Sequence, residues 1–245
     1  MSTPRELLDA PPEFERWEVF RDGGQRVGAM RRVWKYSVLL TRVAIEGDDG
    51  AYLAESRIRF IPGIDWDLSW FHATGMAEPV LLHNPASWTH TGSLPVIGTT
   101  LRTRDERELP PGLTRHVPAG TLPGYGEYLV LKRLLSTGGL HAAWTSVDDE
   151  TGTPQETRLV AVEEQEPPAA IRAAVTEPGT LLRYDREVDG VRQASHWAVE
   201  QRVVASEWNG LRSLAIPDQA GSAGWEAISG LERDNADFLL HGVRR

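Results

Sequence analysis

Short runs of alternating apolar and polar residues, separated by tight-turn sequences, constrain the fold of this chain more than any other feature. In the run YLAESRIRFI at residues 52–61, the apolar residues at 52, 54, 58 and 60 share one face, and the charged residues at 55, 57 and 59 share the other. This period of two is typical of a strand with one dry and one wet face. Hairpin turns are indicated where glycine, asparagine or aspartate supplies positive φ: RDGGQ at 21–25, EGDDG at 46–50, VDG at 188–190 and WNG at 208–210. The pattern predicts an antiparallel meander rather than βαβ units.

The turns divide the chain into predicted strands. These strands cover residues 14–21, 26–38, 40–46, 51–61, 64–72, 95–104, 140–148, 156–163, 180–188, 191–200 and 202–214. The run LPGYGEYLVLKRLLSTGG at 122–139 predicts one helix, because Pro123 suits a first turn and two glycines end it, and a shorter helix is predicted at 167–175. Strands in this number must avoid open edges. We therefore expect a mainly β fold, an antiparallel meander closed or strongly curved into a barrel-like sheet with one packed helix.

The length and the linker pattern indicate how the chain is divided. A chain of 245 residues buries roughly 70% of its unfolded surface, enough for a substantial core. The only linker-like stretch is EEQEPPAAIRAAV at 163–175. We expect one β-barrel-like domain over residues 1–245, with an internal division near 163–180 left open. A barrel of about eight or more strands has room for side chains and one small ligand.

The composition excludes several kinds of chemistry. There is no cysteine, which removes disulfides, thiolate nucleophiles and cysteine-ligated metals. A net charge of -9 without a cluster of basic residues argues against a nucleic-acid partner. Only Lys35 and Lys132 are lysines among 26 basic residues, a bias typical of a GC-rich bacterial genome such as that of an actinomycete. The common nucleotide, zinc-protease and hydrolase motifs are missing, and the histidines lack local metal-ligand spacing, so we predict no metal and no cofactor.

Two segments bear on location. The first residues, MSTPRELLDAPPEFERW, lack the positive-then-apolar pattern of a secretory signal, which predicts a cytoplasmic protein. Residues 79–101 form an uncharged run that is long enough to cross a bilayer, but Pro79, Pro85, Pro95 and many polar residues make it a poor spanning helix. We predict no membrane span and leave a homodimer open.

Three segments in order carry a resemblance to known carriers: WEVFRDGGQRVGAMRRVWKY, LPGYGEYLVLKRLL and HWAVEQRVVASEWNG. Over residues 14–214 this order resembles bacterial curved-sheet ligand carriers of the LolA-like type, which wrap a bent antiparallel sheet around a helix to hold an acyl chain. Lipocalin-like β-barrels match the expected shape equally well. The resemblance implies a ligand cavity and assigns no individual residue. LolA-like carriers are exported, whereas this chain shows no export signal.

The run IPGIDWDLSWFHATG at 61–75 is the centre of the candidate site. If 64–72 is a strand, the tryptophans and the histidine lie on one face, and the aspartates and the phenylalanine lie on the other. An aromatic wall suits a flat or polyene-like ligand, and a histidine within it titrates near neutrality. Plain core packing of the tryptophans and solvation of the aspartates remain alternatives.

A second segment, SWTHTG at 87–92, alternates an aromatic ring and a histidine with threonines. The helix adds Tyr125, Glu127 and Tyr128, which offer a proton donor and an acid near the barrel mouth. By contrast, His196 and Trp197 are neighbours and must face opposite sides of their strand. The candidate acid–base residues are His72, His90, Asp65 and Asp67, and the candidate ligand-binding residues are Trp66, Trp70, Trp88, Phe71, Tyr125 and Tyr128.

These residues support two functional hypotheses and a structural one. The first is a cofactor-independent cyclase, isomerase or dehydratase of bacterial specialised metabolism, which orients an apolar substrate in the barrel and moves protons with histidine or aspartate. The second is a cytoplasmic carrier or sensor of a lipid-like or polyketide-like ligand. The third is a structural or oligomer-forming β protein whose tryptophans are all core. The sequence leaves open whether the protein is an enzyme.

Overall fold

A computed structural model describes most of the chain. The described residues are 12–48, 50–61, 65–74, 88–97, 100–102, 104–105, 114–116, 121–148, 153–163, 167–175, 179–208, 210–217 and 221–242. Their strands are β1 Phe14–Asp22, β2 Gln25–Lys35, β3 Val38–Ile45, β4 Tyr52–Ile61, β5 Asp65–Thr74, β6 Trp88–Ile97, β7 Thr100–Arg102, β8 Arg104–Asp105, β9 Thr114–His116, β10 Leu122–Pro123, β11 His141–Val147, β12 Pro154–Val162, β13 Leu181–Val188, β14 Val191–Val199, β15 Arg202–Trp208 and β16 Leu211–Ala215. Their helices are a 3-10 turn at Gly124–Gly126, α1 Glu127–Thr137, α2 Ala169–Ala174, α3 Ala223–Ile228 and α4 Arg233–His241.

Two antiparallel meanders form one sheet that curves into a nearly closed barrel. The strands β1 to β6 pair in chain order, and so do β11 to β16. The pairing of β16 with β1 joins the two meanders, with Glu18 opposite Ala215. The short β10 is different because it pairs in parallel with β11. The expected mainly β, barrel-like architecture is confirmed.

The linker-like stretch does not separate two sheets. Strand β12 lies before it and β13 lies after it, and these two strands pair directly, with Thr157 opposite Val188. Helix α2 lies within the connection, where Ile171 packs with Trp197 and Ala205.

The structure differs from the predicted strands in several places, and the short strands β9 and β10 were not predicted. Strand β6 begins at Trp88, whereas the predicted strand begins at residue 95, because Pro79, Pro85 and the polar residues around them indicate irregular structure in this run. The predicted strand 202–214 is two strands, β15 and β16, because the turn at 208–210 reverses the chain. Helices α3 and α4 were not predicted, since both are short, with six and nine residues.

Helix α1 fills part of the barrel and forms the main core. Its residues at 128, 131 and 135, the predicted apolar stripe, are all buried. They belong to a cluster that includes inward-facing aromatic residues of several strands: Trp34, Phe60, Trp66, Trp144 and Tyr184. Gly138 ends the helix in the left-handed conformation at φ 67°, as the sequence predicts.

Helices α3 and α4 cover the outer face of the sheet near β1 to β4. Trp17 and Leu53 pack there against Ala223, Phe238 and Leu239. Strand β1 is consequently covered on both faces, since four consecutive residues, 17–20, are buried. Because both faces of β1 are covered, charged residues of this strand lie inside the protein. In the described part of the chain, no helix is long and apolar enough to cross a membrane.

Candidate functional site

A cavity of about 620 Å³ lies between the start of α1 and the inward faces of the strands. Its size falls in the range of roughly 300–1,000 Å³ that small-molecule sites occupy. The lining residues are Phe20, Met30, Arg32, Val43, Ile45, Tyr52, Gly124, Tyr125, Glu127, Asp148, Gln155, Arg186, Trp208 and Leu211. Apolar side chains therefore form most of the wall, and a few polar groups converge on it.

The apolar wall is one packed cluster of alternating strand residues. Phe20, Met30 and Val43 come from the three neighbouring strands β1, β2 and β3. The ring of Trp208 lies 5.9 Å from that of Phe20, centre to centre. Side chains at alternate positions of a strand point to the same face of the sheet, and these residues occupy the positions that face inward. The wall suits the apolar body of a ligand.

A buried carboxylate, Glu18, lies behind the cavity at the centre of an ion-pair cluster. Its Oε1 accepts a hydrogen bond from Nε of Arg16 at 2.9 Å and another from Nη1 of Arg32. Its Oε2 accepts a hydrogen bond from the hydroxyl of Ser213. Arg16 also donates from Nη1 to the backbone carbonyl of Val203. Glu18 itself has no exposed surface.

These partners keep Glu18 ionised. Burial alone would raise the pKa of the Glu18 carboxyl, but the charges of Arg16 and Arg32 and the hydrogen bonds from Arg16 and Ser213 outweigh burial and lower the pKa to about 2. The pKa of Arg16 is raised, because the attraction of Glu18 and Tyr128 outweighs the effect of burial. The cluster is therefore a set of fixed charges at neutral pH.

A second buried carboxylate, Glu127, opens α1 and lines the cavity. Its Oε2 lies 2.5 Å from Nε of Arg186, and its Oε1 lies 3.5 Å from Nε2 of His196. The other ring nitrogen of His196, Nδ1, shares a hydrogen bond of 2.9 Å with the hydroxyl of Ser206. Burial would raise the pKa of Glu127, but Arg186, His196 and Arg32 together lower it to about 2.

Arg32 connects the two carboxylates and the aromatic residues. Its guanidinium carbon lies 4.5 Å from the ring centre of Tyr128 and 5.6 Å from that of Trp208. Both distances are within the range of cation–π attraction. Arg32 is only 5% exposed, yet it lines the cavity. It is the buried cation that a ligand in the cavity would meet.

Three predicted ligand-binding residues have described side chains. Tyr125 lines the cavity, and its role in ligand binding stays a prediction. Tyr128 is buried below Arg32, with the ring of Phe14 5.6 Å away. Trp66 has no exposed surface, and its indole nitrogen donates a hydrogen bond of 2.7 Å to the carbonyl of Thr121 in the main core. The alternative of core packing therefore describes Trp66 and Tyr128 well, and Tyr125 is the predicted residue that reaches the cavity wall.

The other predicted residues lie on β5 and β6, where the structure describes the backbone but not these side chains. In the register, His72 is opposite His90, and Trp88 is opposite Thr74. The remaining predicted positions are all on β5: Asp65, Asp67, Trp70 and Phe71. Their roles as acid–base or ligand-binding residues stay predictions.

Sequence reasoning missed the centre of the site. Arg16, Glu18, Arg32 and Arg186 are not among the predicted site residues, because charged residues in an alternating strand normally face water. The available signal was the run FERWEVF at 14–20, in which charges at 16 and 18 alternate with tryptophan and valine rather than with polar residues.

The predicted opposition of His196 and Trp197 is confirmed, since His196 faces Glu127 and Trp197 packs with Ile171.

Potential metal ligands do not assemble in the described part of the chain. No group of three or more histidine, aspartate or glutamate side chains there suits a metal ion. Among the described residues, the polar groups of the site include the two carboxylates, their arginines and His196, together with Asp148 and Gln155 of the cavity wall.

The fold and the cavity define a barrel-like antiparallel β protein with a mainly apolar pocket over a buried ion-pair cluster. No family model matches the sequence, and no curated protein matches it. Among solved structures, the chain is similar to a β-barrel-like protein from Brucella abortus, described as a domain of unknown function, DUF1849. The two are 9% identical, with a TM-score of 0.47, over 84% of this chain and 96% of that chain. That description assigns no activity to this chain.

Proposed function

We propose that this protein binds an apolar small molecule in the cavity of its barrel. The observation that carries the proposal is the cavity itself, about 620 Å³ in volume and lined mainly by the cluster around Phe20, Met30 and Val43. A packed barrel would fill such a space with side chains, since protein interiors are close-packed. Burial of apolar ligand surface there supplies the affinity.

Binding without chemistry is the form of the proposal that the described charges favour. A general acid or base works best when its pKa lies near the operating pH. The carboxyl pKa of Glu127 is lowered to about 2, so this cavity-lining group is ionised and weakly basic at neutral pH. A carrier or sensor of a lipid-like or polyketide-like molecule needs only the cavity.

A cofactor-independent cyclase, isomerase or dehydratase is the second candidate. The observation in its favour is the register of β5 and β6, where the backbones of His72 and His90 are direct partners. Two titratable residues side by side offer a proton donor and a proton acceptor for an apolar substrate. This role for His72 and His90, the cytoplasmic location and the homodimer are predictions from the sequence.

Mass spectrometry of a host small-molecule extract tests both candidates. The purified protein is incubated with the extract, washed and denatured, and the retained and remaining molecules are compared with a heat-inactivated sample. A molecule retained unchanged supports the carrier, and a molecule replaced by one of equal mass, or lighter by water, supports the enzyme.

Two variants link the result to the cavity. Val43→Phe adds a ring to the cavity wall, whereas Val191→Phe makes the same change at an exposed position. Retention lost in Val43→Phe and kept in Val191→Phe is expected. Equal retention by both variants, or no retained or converted molecule at all, would contradict the proposal.

A further inference from the structure

We infer that the ligand of this cavity is an apolar carboxylate whose anionic head binds Arg32 and Arg186. The inference rests on the proposed function and adds the chemical class of the ligand. It is drawn from three features of the described residues: an unsatisfied buried donor, a second arginine at the same wall, and the charge balance of the cluster.

The first feature is a donor of Arg32 that lacks a partner. Arg32 is 5% exposed and lines the cavity, and its Nη1 donates to Glu18. Within the described part of the chain, the buried Nε of Arg32 has no hydrogen-bond acceptor, so the donors of this guanidinium are only partly used. Unused buried donors are costly, and an anionic ligand head beside the guanidinium at the cavity wall would supply the counter-charge that the protein does not.

The second feature is Arg186, which lines the same cavity from β13. Its Nε lies 2.5 Å from Oε2 of Glu127, but among the described residues neither atom has a partner with hydrogen-bond geometry. The two groups attract each other by charge, while the Nε donor of the guanidinium forms no directional hydrogen bond there. Arg186 therefore keeps capacity to bind an anion.

The third feature is the count of charges in the buried cluster. Three arginines, Arg16, Arg32 and Arg186, accompany two carboxylates, Glu18 and Glu127. Within these ion pairs one positive charge remains over, and a buried charge that has no counterion in contact is unfavourable. Asp148 also lines the cavity, but it is not one of the carboxylates in these three ion pairs. A single anionic head at Arg32 and Arg186 would balance the remaining positive charge.

The cavity geometry fits a molecule with one such head. The arginines occupy one part of the wall, and Phe20, Met30 and Leu211 belong to the apolar part. Asp148 also lines the cavity, and its negative charge opposes an anion. Its removal is consequently expected to strengthen the binding of a carboxylate.

The test compares three probes of equal chain length: decanoate, decan-1-ol and decylammonium. Binding to the full chain is followed by tryptophan fluorescence, since Trp208 lines the cavity, and by isothermal titration calorimetry. Decanoate is expected to bind at least about tenfold more tightly than decan-1-ol, because a charged head gains charge-assisted hydrogen bonds. Decylammonium is expected to bind most weakly.

Variants of the two arginines test where the carboxylate head of the ligand binds. Arg32→Gln and Arg186→Gln are each expected to weaken decanoate binding about tenfold and to leave decan-1-ol binding unchanged. Arg158→Gln is the matched control, because Arg158 is an exposed arginine on β12 that pairs with Glu187. Asp148→Asn is expected to raise the affinity for decanoate. Circular dichroism confirms that each variant is folded, and Arg186→Gln carries the test if Arg32→Gln does not fold.

The outcomes separate this inference from the proposed function. Equal binding of decanoate and decan-1-ol, or arginine variants that behave like Arg158→Gln, would overturn the carboxylate head and leave the apolar cavity standing. Tighter binding of decylammonium would overturn it in the same way. No binding of any probe, with no molecule retained from the extract, would overturn both.

Discussion

The guanidinium carbon of Arg32 lies 4.5 Å from the ring centre of Tyr128, so one buried cation holds the first turn of α1 against strand β2. Arg16 adds a second cation 5.7 Å from the same ring. The ring of Tyr128 thus lies near two positive charges, both of which pair with Glu18. This contact connects helix α1 to the ion-pair cluster around Glu18, which lies behind the cavity.

Replacement of Tyr128 tests that contact. Tyr128→Leu removes the ring, and we expect it to lower the free energy of unfolding by about 2 kcal/mol or more, from lost cation–π attraction and lost packing. Tyr128→Phe keeps the ring and is the matched variant, with an expected loss of less than about 1 kcal/mol. Urea denaturation measures both, and similar losses in the two variants would show that the ring face contributes little.

Glu18→Gln leaves Arg16 and Arg32 buried without their counterion. Removal of one partner from a buried ion pair typically costs about 3–5 kcal/mol, and we expect a loss of that size in chemical denaturation. Glu15→Gln is the control on the same strand, because Glu15 is 46% exposed and pairs with Arg31 at the surface. Its expected loss is below about 1 kcal/mol. A small effect of Glu18→Gln would mean that the cluster contributes nothing to stability.

Low pH should lower the stability of the protein within a defined pH range. The carboxyl pKa values of Glu18 and Glu127 are about 2 in the folded protein, against an ordinary value of 4.5. Folding therefore favours the ionised forms, and their stabilisation is complete above the ordinary pKa and is lost as the pH falls from about 5 towards 2. Each group accounts for on the order of 3 kcal/mol of that change.

The midpoint of thermal unfolding between pH 7 and pH 2.5 measures this dependence. The wild-type midpoint should fall steeply below pH 5, and Glu127→Gln should show a shallower fall because one of the two titrating groups is gone. A wild-type midpoint that does not change between pH 5 and pH 2.5 would contradict the lowered pKa values.

Arg42 connects helix α4 to the barrel through hydrogen bonds. Its Nε donates to Oε2 of Glu55 at 2.7 Å, and its Nη1 donates to the carbonyl of Leu240 at the end of α4 at 2.7 Å. Arg42→Met should reduce hydrogen-exchange protection in 233–241 while the strands keep theirs, since local openings have their own free energies. Arg57→Met, at an exposed position of β4, should change neither. Equal protection of α4 in both variants would exclude this role for Arg42.

The sequence predicted most of the barrel because its strands alternate and its turns are distinctive. In β4 the predicted inward residues include Tyr52 and Phe60, and both belong to interior clusters. The rule gives no buried role for Glu18, because alternation groups 16 with 18 and 17 with 19 but contains no information on what covers each face of the strand. Helices α3 and α4, more than 200 residues along the chain, bury the outer face of β1, so its inner face can hold charges.

The pairing of β1 with β16 also determines when the barrel can close during synthesis. Glu18 and its neighbours have no partner on that edge until residues 211–215 have left the ribosome, and at about 5–20 residues per second this takes on the order of ten seconds or more. An unpaired strand edge with apolar neighbours is prone to aggregate during such a delay. Arg16 and Glu18, whose charges are buried in the folded protein, lie on β1. Before β16 has been synthesised, these charges would keep the unpaired edge of β1 soluble.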